Sequence, residues 1–154
     1  FPEPQAKLTR VPVIPGIDGN KMSKSYGNDI SIGDSAEDTA TKIKMMFTDP
    51  TKIHKNDPGH PEECPVYGLH QIYTAEDEVA EICRTCKTGE LGCVADKKRL
   101  ADNINKALKP IRERRCRLEA DLSYVNDVLA DGAKRAGARA RETMAIVREK
   151  MHLR

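Results

Sequence analysis

Tryptophan is absent, and only two Phe and four Tyr occur among 154 residues. A core this poor in rings is more easily built from Leu, Ile, Val, Met and Ala on helices than from facing sheets, whose strands favour aromatic and β-branched side chains. No apolar run approaches the roughly 20 residues of a membrane-crossing helix, so no membrane partner is expected. Neither sign of charge dominates. Twenty-six Lys and Arg stand against 24 Asp and Glu, and the resulting +2 says little about partners until it is resolved by region. Periodic glycine, sustained heptads and the low apolar content of disorder are also missing; 38% apolar residues suit one ordinary domain. No basic-then-apolar leader and no initiator Met precede Phe1, so the natural polypeptide is expected to begin upstream and this chain to be a piece of it.

Turn formers crowd residues 1–33 (Pro2, Pro4, Pro12, Pro15, Gly16, Gly19, Gly27, Gly33), with short apolar pieces at Val11 to Ile14 and Ile30 to Ile32 that read as strand remnants. Such a segment cannot bury itself. Ser35, answered by Asp38, signals a helix start; the helix runs through Ile43, Met46 and Phe47 until Asp49-Pro50 stops it. Prolines 50, 58, 61 and 65 mark a loop. Short helices are expected over 66–73 and 75–86, and a third from Val94, with Leu100, Ile104, Ala107 and Leu108 on one face. Pro110 kinks that helix or opens the next. The stripe continues through Ile111, Leu118, Leu122, Val125 and Leu129, with Gly132 placed to end it, and a last helix carries Ala133, Ala136, Ala140, Met144, Val147 and Met151. The expected fold is mainly α, a helical bundle with an irregular N-terminal arm. Met45, Met46, Met144 and Met151 fit its core, and the four histidines read as surface or capping residues.

Charge is segregated along the chain. Residues 97–117 hold nine bases (Lys97, Lys98, Arg99, Lys106, Lys109, Arg112, Arg114, Arg115, Arg117) against Asp102 and Glu113, and residues 132–154 hold seven against two. The band is either a solvated helix surface or a face for a polyanion.

The most specific string is Lys21-Met22-Ser23-Lys24-Ser25, set between Gly16, Gly19 and Gly27. Glycine lets backbone amides approach an anion, two lysines bring mobile positive charge and two hydroxyls donate hydrogen bonds, the makings of a polyphosphate clamp. It is not a Walker loop. Read from composition alone, a flexible Lys/Ser surface loop accounts for it as well.

Letter for letter, Lys21 to Ser25 is the KMSKS signature of class I aminoacyl-tRNA synthetases, and its flanks, Pro15-Gly16-Ile17-Asp18-Gly19-Asn20 and Tyr26-Gly27-Asn28-Asp29-Ile30, resemble the tryptophanyl family. Lys42-Ile43 to Thr48-Asp49-Pro50, Leu69-His70-Gln71, Gly92-Cys93-Val94 and Gly132-Ala133-Lys134-Arg135-Ala136 follow in family order. The resemblance implies a homodimeric cytoplasmic ligase that joins L-tryptophan to ATP, with Mg2+, as an adenylate and then charges tRNA(Trp). Carried over, Lys21 and Lys24 clamp the phosphates, Ser23 and Ser25 donate hydrogen bonds, and Met22 anchors the loop by packing. The other class I signature, of the His-x-Gly-His type, is missing. Residues 1–33 are thus expected to be the tail of a Rossmann-type catalytic domain, and residues 34–154 a helical anticodon-binding domain. The fragment alone is expected to be inactive. Lys106, Lys109, Arg112, Arg114 and Arg115 are the expected tRNA phosphate contacts. The alternative is a stand-alone helical module that binds RNA or a metal.

Five cysteines, four of them between Cys64 and Cys93, suit an intracellular chain better than a disulfide-stapled one. Cys64, Cys83, Cys86 and Cys93 are separated by eighteen, two and six residues, a spacing that allows tetrahedral Zn2+, a 4Fe–4S cluster or free thiols. Some bacterial members of the family resembled carry such a cluster. Three cysteines of that pattern align with Cys64, Cys86 and Cys93; its fourth falls at Asp96, with Cys83 as the substitute ligand. Cys116 reads as a lone helix residue.

Overall fold

A computed structural model describes residues 2–153. Five α-helices and two short 3-10 turns account for the regular structure among them. Helix α1 spans Ala36–Met45, α2 Pro65–Tyr73, α3 Glu76–Lys87, α4 Cys93–Glu119 and α5 Leu122–Lys150. The mainly α expectation is met. The strand remnants are not: in the arm a single antiparallel bridge, Pro15 with Lys21, is the whole of the β structure described. The arm's backbone hydrogen bonds go mostly to turns within residues 14–34, such as Gly16 to the Asn20 carbonyl and Ile17 to the Asn28 carbonyl, and not to a ladder.

Ser35 starts α1 as its sequence requires. Its hydroxyl oxygen accepts from the Asp38 amide at 2.9 Å and donates to the Asp38 carboxylate at 2.7 Å. The helix ends at Met45, short of Phe47, because Met46 turns extended to enter the core and the Phe47 amide donates to the Ile17 carbonyl at 2.7 Å. Pro65 opens α2, where its missing N–H costs nothing. Glu76, Asp77 and Glu78 complement the N-terminal end of α3. Helix α4 continues through Pro110, so that residue neither ends it nor opens another.

The end placed at Gly132 lies elsewhere. Gly132 is inside α5, and the break comes at Ala120–Asp121, where the Asp121 carboxylate accepts from the Tyr124 amide at 3.1 Å and from the Ser123 hydroxyl at 2.7 Å. A capping aspartate outweighs one interior glycine, whose cost is about 1 kcal/mol.

Compactness divides the chain into residues 1–111 and 112–154. The expected boundary after Gly33 concerned family parentage; in packing terms residues 1–33 belong to the first unit. That unit holds the core: Ile43 and Met46, Val66 and Leu69 from α2, and Leu100, Ala101, Ile104 and Leu108 from α4, with Ile17 and Ile30 of the arm against it. Steps of four on α4 aim Leu100, Ile104 and Leu108 inward from one face. Arg10 fastens the arm to α2 and α3, reaching the Gln71 carbonyl at 2.6 Å and the Glu76 carboxylate at 3.0 Å. In the second unit no residue of α5 is buried, and Arg135–Asp131 and Arg139–Glu142 pairs lie along its surface. Of the four methionines expected in the core, only Met46 is buried; Met45, Met144 and Met151 are exposed.

Candidate functional site

Residues 15–28 form a closed loop. The Met22 amide donates to the Ile14 carbonyl at 2.8 Å beside the Pro15–Lys21 bridge, and the Ile17 amide donates to the Asn28 carbonyl at 2.9 Å. Gly19 sits at φ 85° and Gly27 at φ 65°, backbone that L side chains resist, which explains glycine at both bends. Between them Lys24–Tyr26 makes a 3-10 turn that ends with the Gly27 amide on the Lys24 carbonyl at 3.1 Å.

This geometry sorts the five signature residues. Lys21, Lys24 and Ser25 are exposed and Ser23 is half-buried. Neither lysine forms an ion pair among the described residues. Met22 points the other way, into an apolar hollow of about 190 Å³ that it lines with Ile14, Ile30, Ile32, Leu69, Tyr73, Ile104 and Leu108. One residue anchors the strip while its neighbours face solvent, an arrangement that leaves ammonium and hydroxyl groups ready for an anion.

The residue that shapes the loop is one that sequence reasoning misses. Asn28 is only 3% exposed. Its Oδ1 accepts from the Ser23 amide at 2.7 Å, and its Nδ2 donates to Asp18 Oδ1 at 2.8 Å and to the Lys21 carbonyl at 3.2 Å. Asp18 also accepts from the Asn20 amide at 3.0 Å and from Asn20 Nδ2 at 3.1 Å, and the Asn20 and Asn28 side chains hold its carboxyl below the usual range. The signal that could find it is an asparagine just after a left-handed glycine, ten residues from an Asp-Gly-Asn turn.

The basic band divides between the two units. Lys106 and Lys109 are exposed in the first, Arg114 and Arg115 in the second, where Arg112 is half-buried. Arg115 already holds Glu119 at 2.7 Å, a bond that raises its own pKa further. In the first unit a cavity of about 520 Å³ lies between α1 and α4, lined by Ala40, Lys44, Val94, Lys97, Lys98, Ala101 and Asp102.

Cys64, Cys83, Cys86 and Cys93 are not brought together as a ligand set. Cys83 neighbours the Tyr67 hydroxyl, whose pKa is raised by burial first and then by that sulfur. Cys86 has Cys64, Cys93 and Asp96 near it, yet among the described residues no three His, Cys, Asp or Glu side chains are arranged to hold a metal ion. Burial raises the Cys64 thiol, and burial together with those neighbours pushes Cys86 up to about 11 against the pull of Lys52. Without a metal both are therefore thiols at neutral pH, and any metal bound there would have to displace their protons. One histidine also departs from expectation. His70 is fully buried: its Nε2 faces Asp96 Oδ1 at 3.2 Å and its Nδ1 pairs with Thr74 Oγ1 at 2.7 Å.

Residues 1–109 match the family model described as tRNA synthetases class I (W and Y). The chain belongs to that family. It is 47% identical to the tryptophan–tRNA ligase of Aquifex aeolicus over 99% of this chain and 39% of that protein, and 44% identical to that of Thermotoga maritima over 99% and 47%. A solved tryptophanyl-tRNA synthetase from Campylobacter jejuni, complexed with ADP and tryptophan, superposes with a TM-score of 0.77 at 30% identity, covering 92% of this chain and 44% of that one. These relatives place the chain on the tryptophanyl side of its family. It spans less than half the length of each.

Proposed function

We propose that this chain is the C-terminal portion of a tryptophan–tRNA ligase, supplying the loop that closes on the triphosphate of ATP and a helical surface for tRNA(Trp). The observation that carries the reading is the loop itself: Lys21, Lys24 and Ser25 presented outward on a backbone anchored by Met22 and closed by Asn28, in a member of the class I family. In adenylate formation a tryptophan carboxylate oxygen attacks the α-phosphorus, the bond to the bridging oxygen breaks and pyrophosphate leaves. No covalent protein intermediate is needed, so positioning and charge stabilisation supply the catalysis. Lys21 and Lys24 would stabilise the departing pyrophosphate, with Ser23 and Ser25 donating to its oxygens. Mg2+, when bound, would share that charge.

Val13, Ile14, Ile32 and Ile53 leave apolar surface exposed on the first unit. They would meet the nucleotide-binding half of the parent enzyme, which holds the tryptophan pocket. Residues 1–33 are then the tail of the Rossmann-type domain and residues 34–154 the anticodon-binding domain. For the tRNA, Lys106, Lys109, Arg112, Arg114 and Arg115 would pair with phosphates. The hollow lined by Ala40, Val94, Ala101, Lys44, Lys97 and Lys98 would offer an unstacked base both apolar and basic side chains.

Tryptophan-dependent exchange of pyrophosphate into ATP tests the proposal. Lys24→Ala in the full-length parent should slow exchange far more than it weakens tryptophan binding, and the isolated fragment should show none. Undiminished exchange after removal of both lysines would overturn it.

A further inference from the structure

We propose that Asn28 is the positioning residue of the signature loop, acting through Asp18. This rests on the reading that the loop serves adenylate formation. Three of its side-chain bonds go to three different places on the loop: Asp18 at the first bend, the Lys21 carbonyl at the start of the signature, and the Ser23 amide at its centre. A fourth tie, from its own carbonyl to the Ile17 amide, closes the ring. One carboxamide thereby satisfies a donor and two acceptors that would otherwise have to find water inside the loop.

Its chemistry is specific. The amide must accept on one side and donate on the other, and only Asn has that pair at this reach. Aspartate keeps the acceptor for Ser23 but sets a second carboxylate against Asp18 and an oxygen against the Lys21 carbonyl. Gly16 completes the fit: a Cβ there would stand 2.5 Å from Asn28 Nδ2 and 2.8 Å from the Asn28 carbonyl, so the backbone passes directly over the amide. Lys21 and Lys24 are exposed, and nothing else described holds their ammonium groups. Their aim is therefore set by the backbone, and the backbone is set by Asn28. Lysines displaced by about 1 Å from the triphosphate cost on the order of 100-fold in rate.

The test uses the full-length parent enzyme in pyrophosphate exchange, with KM for ATP and tryptophan and kcat measured separately. Asn28→Ala and Asn28→Asp should lower kcat by about 10- to 100-fold while KM for tryptophan stays unchanged. Asn28→Asp should also alter the pH profile: the new carboxyl, raised by neighbouring Asp18, regains a donor proton on acidification, so its deficit should shrink as pH falls from 8 to 6. Asp18 is exposed, so its variants should disturb packing less than those at Asn28, and circular dichroism of each variant checks that it folds. Asp18→Ala should reproduce the loss, and Asp18→Asn, which keeps the Oδ1 acceptor, should retain most of the rate. Wild-type kcat in Asn28→Asp or Asp18→Ala, or a deficit independent of pH, would overturn the inference. If Lys24→Ala is also silent, it is the assignment of the loop that fails; if Lys24→Ala is crippled while these are not, only the role of Asn28 fails.

Discussion

His70 and Asp96 face each other at 3.2 Å inside the first unit, the imidazole wholly enclosed and the carboxylate nearly so. Thr74 links the other ring nitrogen to Asn103, whose Nδ2 donates to the same hydroxyl at 2.9 Å. These polar groups join α2 to α4 through an otherwise apolar layer. His70→Ala strands the carboxylate and should cost about 1–3 kcal/mol in denaturant unfolding, as should Asp96→Ala. Their double mutant should cost less than the sum.

Asp49 is buried and accepts four hydrogen bonds, from the Thr51 amide and hydroxyl at 2.8 and 2.6 Å and from the His60 amide and ring at 2.7 and 3.0 Å. Burial works to raise its pKa; the Thr51 and His60 bonds override it and hold the carboxyl far below the usual carboxylate range. A depressed folded-state value means stability that is complete above the unfolded value of roughly 4 and lost as pH falls below it. Melting temperature measured from pH 6 to pH 3 should drop on the acid side, and Asp49→Asn should flatten that slope.

Thiol reactivity should follow burial. Alkylation with iodoacetamide at pH 7.5 should modify exposed Cys116 well before Cys64 and Cys86, whose thiols are raised. Mass spectrometry of timed digests gives the order.

Gly16→Ala forces either the loop backbone or the Asn28 amide to move, because the added methyl meets the Asn28 carbonyl as well as its side chain. Overpacking of this kind typically costs about 1–3 kcal/mol. Hydrogen exchange of the Ser23 and Ile17 amides should accelerate, while that of the Leu100 amide in α4 should not.

If the proposed basic surface takes up tRNA, affinity measured from 50 to 200 mM salt should fall steeply. Arg114→Glu should flatten the slope by roughly 0.7–0.9 for each phosphate it no longer neutralises. Arg115→Glu should do less, since Glu119 already engages that guanidinium.

Local chemistry makes much of this legible. Ser35 with Asp38, Pro65, and the acidic turn Glu76–Glu78 each set a helix end within a residue or two of where the sequence puts it. Sequence and structure part where a distant partner decides the outcome. Helix α1 stops early because Phe47 finds the Ile17 carbonyl, a contact between residues thirty apart. Gly132 reads as a terminator only while the cap at Asp121 is left out of the reckoning. His70 sits on the apolar face of α2, and its burial depends on Asp96 and Asn103 arriving from α4. The signature lysines are plain from their string; Asn28, which folds the string, has no motif of its own.

Ile17 gives its amide to Asn28 and its carbonyl to Phe47, so one residue splices the loop to the chain just past α1. The root of the loop is therefore tied to the helical frame, while its tip from Lys24 to Tyr26 is tied only within the loop. Sequence drift at the tip leaves the helices undisturbed; drift at the root is felt by both. The proposed closure on a nucleotide should therefore bend the tip over its root rather than swing the whole arm.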